Sequence, residues 1–461
     1  MIASQLTRKL KTDPVLPQPV GPRQSGSGLG AAILTGSVKE QIAAKERPYV
    51  LAAAAIALIA KLVIARNTFG TNDVLISYLF GRTISEEGLG AMYRTTILFN
   101  HPPLTAYYLQ WIYELQRLPA LESLEITFAF LLRLPGILAD FVVVAVLVDL
   151  GRRAPGFRAP TWAMMLFALS PVSLMVSGYH GNTDPVMVMF LVLAAYFCVR
   201  DEAILSGIFF ALSVQVKIIP LLLFPFFFFF WVNRRSFLRF ALSAAIISLV
   251  LWSQPLFQFP ALFIKNVLSY SSFWGIWGIS YLIRLTGLKQ FAEVSFFDLS
   301  PAQNLVINIC KVLIVSIVLC LAWRQRRQGS RALWNTIAFA WLVFFVLAPG
   351  ICTQYLIWLA PFVLLLSPSF YAWLTASSSI FAFVFYDTIS RGLPWFRGIS
   401  TNAINKHWVP WSVLPWIVLI VGCCFLWRRA FGVVPIRTGL VSENDAATQR
   451  QVAPTAGLHG S

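Results

Sequence analysis

The residues able to do chemistry in this chain are polar groups that interrupt long apolar runs. Asp73 sits in Gly70-Thr71-Asn72-Asp73, just past the first such run. A carboxylate there can take a proton from a substrate hydroxyl. It can equally cap a helix over 74–81, because Asp at an N-cap satisfies free backbone N–H groups. A second break, Ser177-Gly178-Tyr179-His180-Gly181-Asn182-Thr183-Asp184-Pro185, adds an imidazole, a carboxylate and a hydroxyl to what a plain Gly-Asn turn needs. Unpaired polar groups at a bilayer edge are costly. His180 either binds a phosphate or orients a sugar, or is a turn histidine satisfied by its neighbours; Asn182 and Asp184 belong to the same candidate site. Lys217, in Gln215-Val216-Lys217-Ile218-Ile219-Pro220, must snorkel to headgroups or meet an anion such as a lipid phosphate. Gln354 and Tyr355 follow Pro349-Gly350 and offer donors to the same cavity, although a helix kink accounts for the Pro-Gly pair as well. In Asn100-His101-Pro102-Pro103-Leu104-Thr105 the paired prolines start a helix over 104–115. His101 and Tyr107 then border either a lipid-substrate groove or a membrane-surface helix with its aromatics at headgroup depth.

The elements that hold these groups are membrane helices. Of 461 residues 58% are hydrophobic and 12% charged, with a mean hydropathy of +0.71, a composition that cannot build a water-soluble surface. Apolar runs recur from Tyr49 to Trp427, several reaching the roughly 20 residues needed to cross a hydrocarbon core of about 30 Å. The fold class is therefore an all-α polytopic transmembrane bundle of about twelve spans, near 49–65, 126–150, 160–178, 184–199, 203–216, 218–232, 237–255, 303–323, 334–349, 352–366, 369–386 and 411–427. The arginines at 152, 153 and 158, at 234, 235 and 239, at 324, 326, 327 and 331, and at 428 and 429 lie in short connections. The positive-inside rule puts those connections and both termini in the cytoplasm. Residues 66–125 and 256–302 then form two long outer loops, and the aromatic stretch 101–117 becomes an interfacial or re-entrant helix. No cleavable signal is evident, so the first run stays as a span.

Residues 1–47 are rich in Gly, Pro, Ser and basic side chains and are expected as a disordered cytoplasmic tail. Residues 48–430 form the membrane domain, and 431–461 a second cytoplasmic tail. Gly26-Ser27-Gly28-Leu29-Gly30 follows no strand and lacks the ending of a phosphate loop. The formal charge of +17 is scattered in small clusters, with no stripe suited to nucleic acid. The six cysteines have no metal-ligand spacing and read as small buried hydrophobes.

In order along the chain these residues resemble the GT-C glycosyltransferases, most closely the dolichyl-phosphate-glucose-dependent glucosyltransferases of N-glycan assembly and their bacterial polyprenyl-phosphate-sugar-dependent relatives. The resemblance runs from about Gly70 to Asn233. Asn72-Asp73 loosely matches the family's Gly-Asp pattern, and His101-Pro102-Pro103-Leu104-Thr105-Ala106-Tyr107 matches its Tyr-Pro-Pro-Leu-Thr-Ala-Tyr stretch closely. Arg133 to Asp140 matches an arginine-to-aspartate span, Tyr179-His180-Gly181-Asn182 a Gly-His-Phe-Gln-Tyr-Asn element, and Lys217 with Pro225-Phe226 a lysine ahead of a proline-containing aromatic run. The chain departs from the family at Cys352-Thr353-Gln354-Tyr355, where eukaryotic members carry His-x-His-Glu-Lys-Ser, and at Asn100, where they carry an acid.

The resemblance implies an inverting transfer in which Asp73 deprotonates the acceptor hydroxyl while a lipid phosphate departs. His101, Tyr107, His180, Asn182, Asp184, Lys217, Gln354 and Tyr355 would contact substrate or donor. The expected partners are the lipid membrane, a polyprenyl- or dolichyl-phosphate sugar, and a glycan, lipid or protein acceptor. No Asp-x-Asp stands in the first loop, so neither a metal nor another cofactor is expected. The absence of a nucleotide-binding domain also favours a membrane-borne donor. The expected location is the bacterial inner (plasma) membrane with the site facing outside. A transporter or lipid flippase is the alternative, though such folds usually carry repeats of several helices and none is found here.

Overall fold

The structure is a computed structural model that describes residues 27–269, 271–273, 277–292, 299–390 and 406–431. Two units are distinguished, Met1–Arg47 and Pro48–Ser461. The described residues form an all-α, polytopic membrane protein, as the hydropathy requires. Eight helices among them are long and apolar enough to cross a membrane, at Glu46–Asn67, Phe128–Arg153, Thr161–His180, Phe237–Gln258, Pro301–Gln325, Ser330–Leu347, Pro368–Ser390 and Trp408–Trp427. The other four expected spans are shorter apolar segments, Asp184–Val199, Ala203–Val216, Ile219–Asn233 and Thr353–Leu366.

That difference from twelve full spans has a structural reason. At 14–16 residues two of these helices extend only about 21–24 Å, less than a hydrocarbon core of about 30 Å. Each of the four short segments has one end at a basic connection or its neighbour and the other at a polar break. Asp184, Lys217 and Tyr355 stand at or beside those breaks. The apolar runs end in the structure where the sequence ends them, and the early stops leave room for polar groups within the protein.

Residues 66–125 are a folded helical cap and not an open loop. Helices Asn72–Glu87, Leu89–Thr95, Pro103–Leu115 and Pro119–Ser123 enclose a core of Val74, Phe80, Met92, Tyr93, Phe99 and Leu109, joined by Phe263 and Val267 from the 256–302 region. The helix Pro103–Leu115 has 13 residues with Pro at its first turn, as the Pro102-Pro103 pair predicts, and is not among the membrane-crossing candidates. The main core joins the spans and is dominated by large side chains, including Trp231, Trp277, Trp334, Trp341 and Trp358.

The first helix runs Ser27–Asn67 with Pro48 inside it, so residues 27–47 are helical where a loose tail is expected; their Ala, Lys, Glu and Gln are good helix formers. Residues 1–26 and the expected tail beyond Phe431 lie outside the described residues.

Candidate active site

The site is built where the start of the helix Asn72–Glu87 meets the end of the third long apolar segment. That segment is interrupted: a helix Thr161–Ala168, a break at Leu169 and Ser170, one short helical turn Pro171–Ser173, then π-helix from Leu174 to His180. Gly70 and Gly181 both take left-handed backbone, with φ of +98° and +85°. A Cβ on Gly70 would lie 2.7 Å from the Tyr179 carbonyl oxygen, and one on Gly181 2.4 Å from Val74 Cγ2. The two segments are thus pressed together at positions only glycine fills without strain. Thr71 Oγ1 donates to the His180 carbonyl at 2.8 Å and accepts from the Asp73 N–H at 3.3 Å. Thr71 is therefore the N-cap, and the cap role weighed for Asp73 falls to its neighbour. Arg133, 1% exposed, completes the joint. Its guanidinium donates to the carbonyls of Ala65, Thr68, Gly178 and Tyr179 and to the Thr68 hydroxyl.

Freed from capping, the Asp73 carboxylate turns to His180. Asp73 Oδ2 lies 2.9 Å from His180 Nε2, and His180 Nδ1 lies 3.0 Å from the Tyr386 hydroxyl. Burial alone pushes the Asp73 carboxyl up, but the His180 imidazole, by charge and by hydrogen bond, and then Lys217 and His101, outweigh it and hold the group below the ordinary carboxylate value. An ionised carboxylate only accepts hydrogen bonds, so His180 donates through Nε2–H, and its Nδ1 pairs with the Tyr386 hydroxyl. The His180 side chain is 5% exposed and that of Asp73 38%, which leaves the carboxylate open to a substrate and the imidazole enclosed behind it.

A second constellation faces the same space. Lys217 Nζ lies 2.7 Å from Asp184 Oδ1, and Trp358 Nε1 donates to Asp184 Oδ2 at 3.1 Å. Lys217 also sits over the rings of Tyr355 and Trp358, at 4.2 and 4.9 Å, and those rings stack at 4.1 Å. The ammonium is held by a carboxylate and two π faces at the end of the helix Ala203–Val216. Asp184 stands in the first turn of its helix, where a carboxylate is favoured by the exposed N–H groups.

Asp73, His101, Asn182, Asp184, Lys217, Gln354 and Tyr355 line one cavity of about 190 Å³, with Ser77, Asn100, Thr105 and Cys352. His180 is joined to it through Asp73. Burial, aided by repulsion from Lys217, drives the His101 imidazole down to about 4, so it is neutral at neutral pH. Buried nitrogens of His101 (Nδ1) and Asn182 (Nδ2) have no protein partner. Tyr107 does not line this cavity: its hydroxyl donates to Gln254 at 2.9 Å, because the helix turns that position toward Phe237–Gln258. Sequence reasoning missed Tyr386 and Trp358. Tyr386 carried a signal, since Thr375, Ser378, Tyr386 and Ser390 lie on the buried side of one span, the side where a membrane helix keeps its polar groups. Among the described residues no three His, Cys, Asp or Glu side chains gather as metal ligands.

Two comparisons bear on this geometry. Residues 100–233 match the model of a family described as alpha-(1->6)-mannopyranosyltransferase, N-terminal domain, a stretch that contains His101, His180, Asn182, Asp184 and Lys217. The chain is also similar to GPI mannosyltransferase 1 of Kluyveromyces lactis, at 24% identity over 296 residues, 61% of this chain and 65% of the relative. It thus spans a little less than two thirds of that relative's length. Both names carry mannose transfer, whereas the motif resemblance points to glucose-transferring members.

Proposed function

We propose that this chain is an integral-membrane mannosyltransferase of GT-C type, moving mannose from a polyprenyl- or dolichyl-phosphate donor to a hydroxyl of a lipid-linked glycan or other acceptor. The names of its relatives support the sugar. One observation carries the chemistry: an ionised, partly open carboxylate backed by an imidazole shares a cavity with a caged lysine.

Asp73 accepts the acceptor proton as the hydroxyl oxygen bonds to the anomeric carbon. The bond from that carbon to the phosphate oxygen breaks, and the lipid phosphate leaves with the electron pair. Sugar transfer passes through an oxocarbenium-like state, in which the attacking hydroxyl becomes acidic as it bonds, so a base of low pKa suffices. His180 supports the protonated carboxyl through Oδ2 and leaves Oδ1 for the acceptor. Lys217 faces the departing phosphate, its position set by Asp184, Tyr355 and Trp358. A cavity of about 190 Å³ equals about six waters at ~30 Å³ each, the size class of one sugar ring. The remainder of donor and acceptor would lie outside it.

Both carboxylates on the cavity are engaged by protein partners, so transfer is metal-independent on this reading. The site lies at the opposite helix ends from the basic connections, which supports an active site facing away from the cytoplasm. A transporter is the weaker reading, since the family and the relative that the chain resembles are both named as mannosyltransferases. Proteoliposomes supplied with polyprenyl-phosphomannose and a lipid-linked acceptor, with and without EDTA, test the proposal. A new glycosidic bond formed at equal rates in both is expected, and lipid or solute movement without bond formation would refute it.

A further inference from the structure

A buried ionic cluster lies apart from the cavity and has no part in the chemistry above. Lys61, 2% exposed, stands within the span Glu46–Asn67 and pairs with Asp140 of the span Phe128–Arg153. Asp140 Oδ2 also accepts the hydroxyls of Ser173 at 2.7 Å and Ser177 at 2.5 Å, and Lys61 Nζ reaches Ser173 Oγ at 2.6 Å. Gly178 packs directly on Lys61, where a Cβ would lie 3.3 Å from both Lys61 Cα and Cγ. An ionised pair within a span is costly, and this one converges on the start and the middle of a single feature. Ser173 immediately precedes the π-helix Leu174–His180, and Ser177 lies inside it.

A π-helix takes more residues per turn than an α-helix, and it is rare and frequently found at functional sites. Seven residues of it change the face on which its last side chain emerges, and that side chain is His180. Asp140 further lines a separate cavity of about 40 Å³ with Ser170, Ser173, Tyr371, Thr375 and Ser378, room for about one water. The last three belong to the helix that carries Tyr386. The cluster thus bonds the π-helical segment that carries His180 and faces, across this small cavity, the helix that carries Tyr386.

We propose that Lys61, Asp140, Ser173 and Ser177 form a positioning clamp that sets the register of the π-helical segment and, through it, the Asp73–His180 contact. The catalytic half of this inference rests on the mannosyltransferase reading, and the structural half does not. The test is the double variant Lys61→Met with Asp140→Leu, in which apolar side chains replace the pair without leaving a lone buried charge. Two readouts are taken: hydrogen–deuterium exchange of the peptide 174–183, and kcat and KM with polyprenyl-phosphomannose. Faster exchange of that peptide, with kcat down at least tenfold and both substrate KM values within about twofold of the parent, is expected. Parental exchange and parental kcat would overturn the clamp. Should the double variant fail to fold, Ser173→Ala with Ser177→Ala keeps the ion pair and is read the same way. If the parent itself transfers no mannose, the mannosyltransferase reading falls and the exchange readout alone decides the clamp.

Discussion

The carboxylate of Asp73 and Nε2 of His180 lie 2.9 Å apart, joining the helix after the first span to the π-helical end of the third long apolar segment. Thr71 makes the contact possible by taking the capping role, and Tyr386 fixes the far side of the ring. The pair is therefore held from both sides by the protein, the arrangement that the proposed base requires.

His180 lowers the Asp73 carboxyl while burial raises it. His180→Phe removes the two largest lowering interactions and leaves burial opposed only by the charges of Lys217 and His101, so the carboxyl moves up. The acidic limb of the kcat/KM profile, which reports the free enzyme's base, is expected to shift to higher pH. A profile that stays in place would break the link between the two residues.

Tyr386→Phe removes the only hydrogen-bond donor shown for His180 Nδ1 while keeping the ring. The imidazole can then swap tautomers, and a fraction of molecules present a bare nitrogen to Asp73. A fall in kcat of roughly tenfold with unchanged KM is expected, since proton-transfer groups contribute about 10²–10⁴-fold and this residue acts only through one. Steady-state kinetics of the purified variant check it.

Lys217→Met leaves Asp184, 2% exposed at its side chain, as an unpaired buried charge. Such a loss costs about 3–5 kcal/mol, and Trp358 alone does not replace the ammonium. The variant should melt well below the parent, and adding Asp184→Asn should restore most of the melting temperature. Donor KM should stay raised in the double variant, which separates phosphate binding from stability.

His101 carries a stability signature. Its folded value of about 4 lies below its unfolded value of 6.5, so between these the unfolded chain binds the extra proton. The contribution is complete above about pH 6.5 and is lost as the pH falls toward 4, by about 1.4 kcal/mol per pH unit at most. Denaturation midpoints of the parent should fall more steeply over that window than those of His101→Gln.

Much of the site could be read from residue cost alone. Asp184 and Lys217 stood out because each charge is expensive in an apolar setting, and the structure shows each as the remedy for the other. Their pairing was invisible, since they are 33 positions apart and on different helices. Asp73 was found by its place after the first span, but one residue type served two readings until Thr71 was seen to hold the cap. Tyr107 stands outside the cavity for the opposite reason: a motif match says which residue is present, not which way a helix turns it. The spans and the ends of the short helices were legible from hydropathy, since 184–199, 203–216, 218–232 and 352–366 fall within a residue of Asp184–Val199, Ala203–Val216, Ile219–Asn233 and Thr353–Leu366; that these four are too short to cross follows only when their length is set against the hydrocarbon core.

The most direct test of Asp73 as the base is transfer by Asp73→Asn, which keeps the side chain's size and a hydrogen bond to His180. In proteoliposomes with polyprenyl-phosphomannose, a loss of about 10²–10⁴-fold in kcat with parental folding and donor binding is expected. Transfer at the parental rate by that variant would contradict the account.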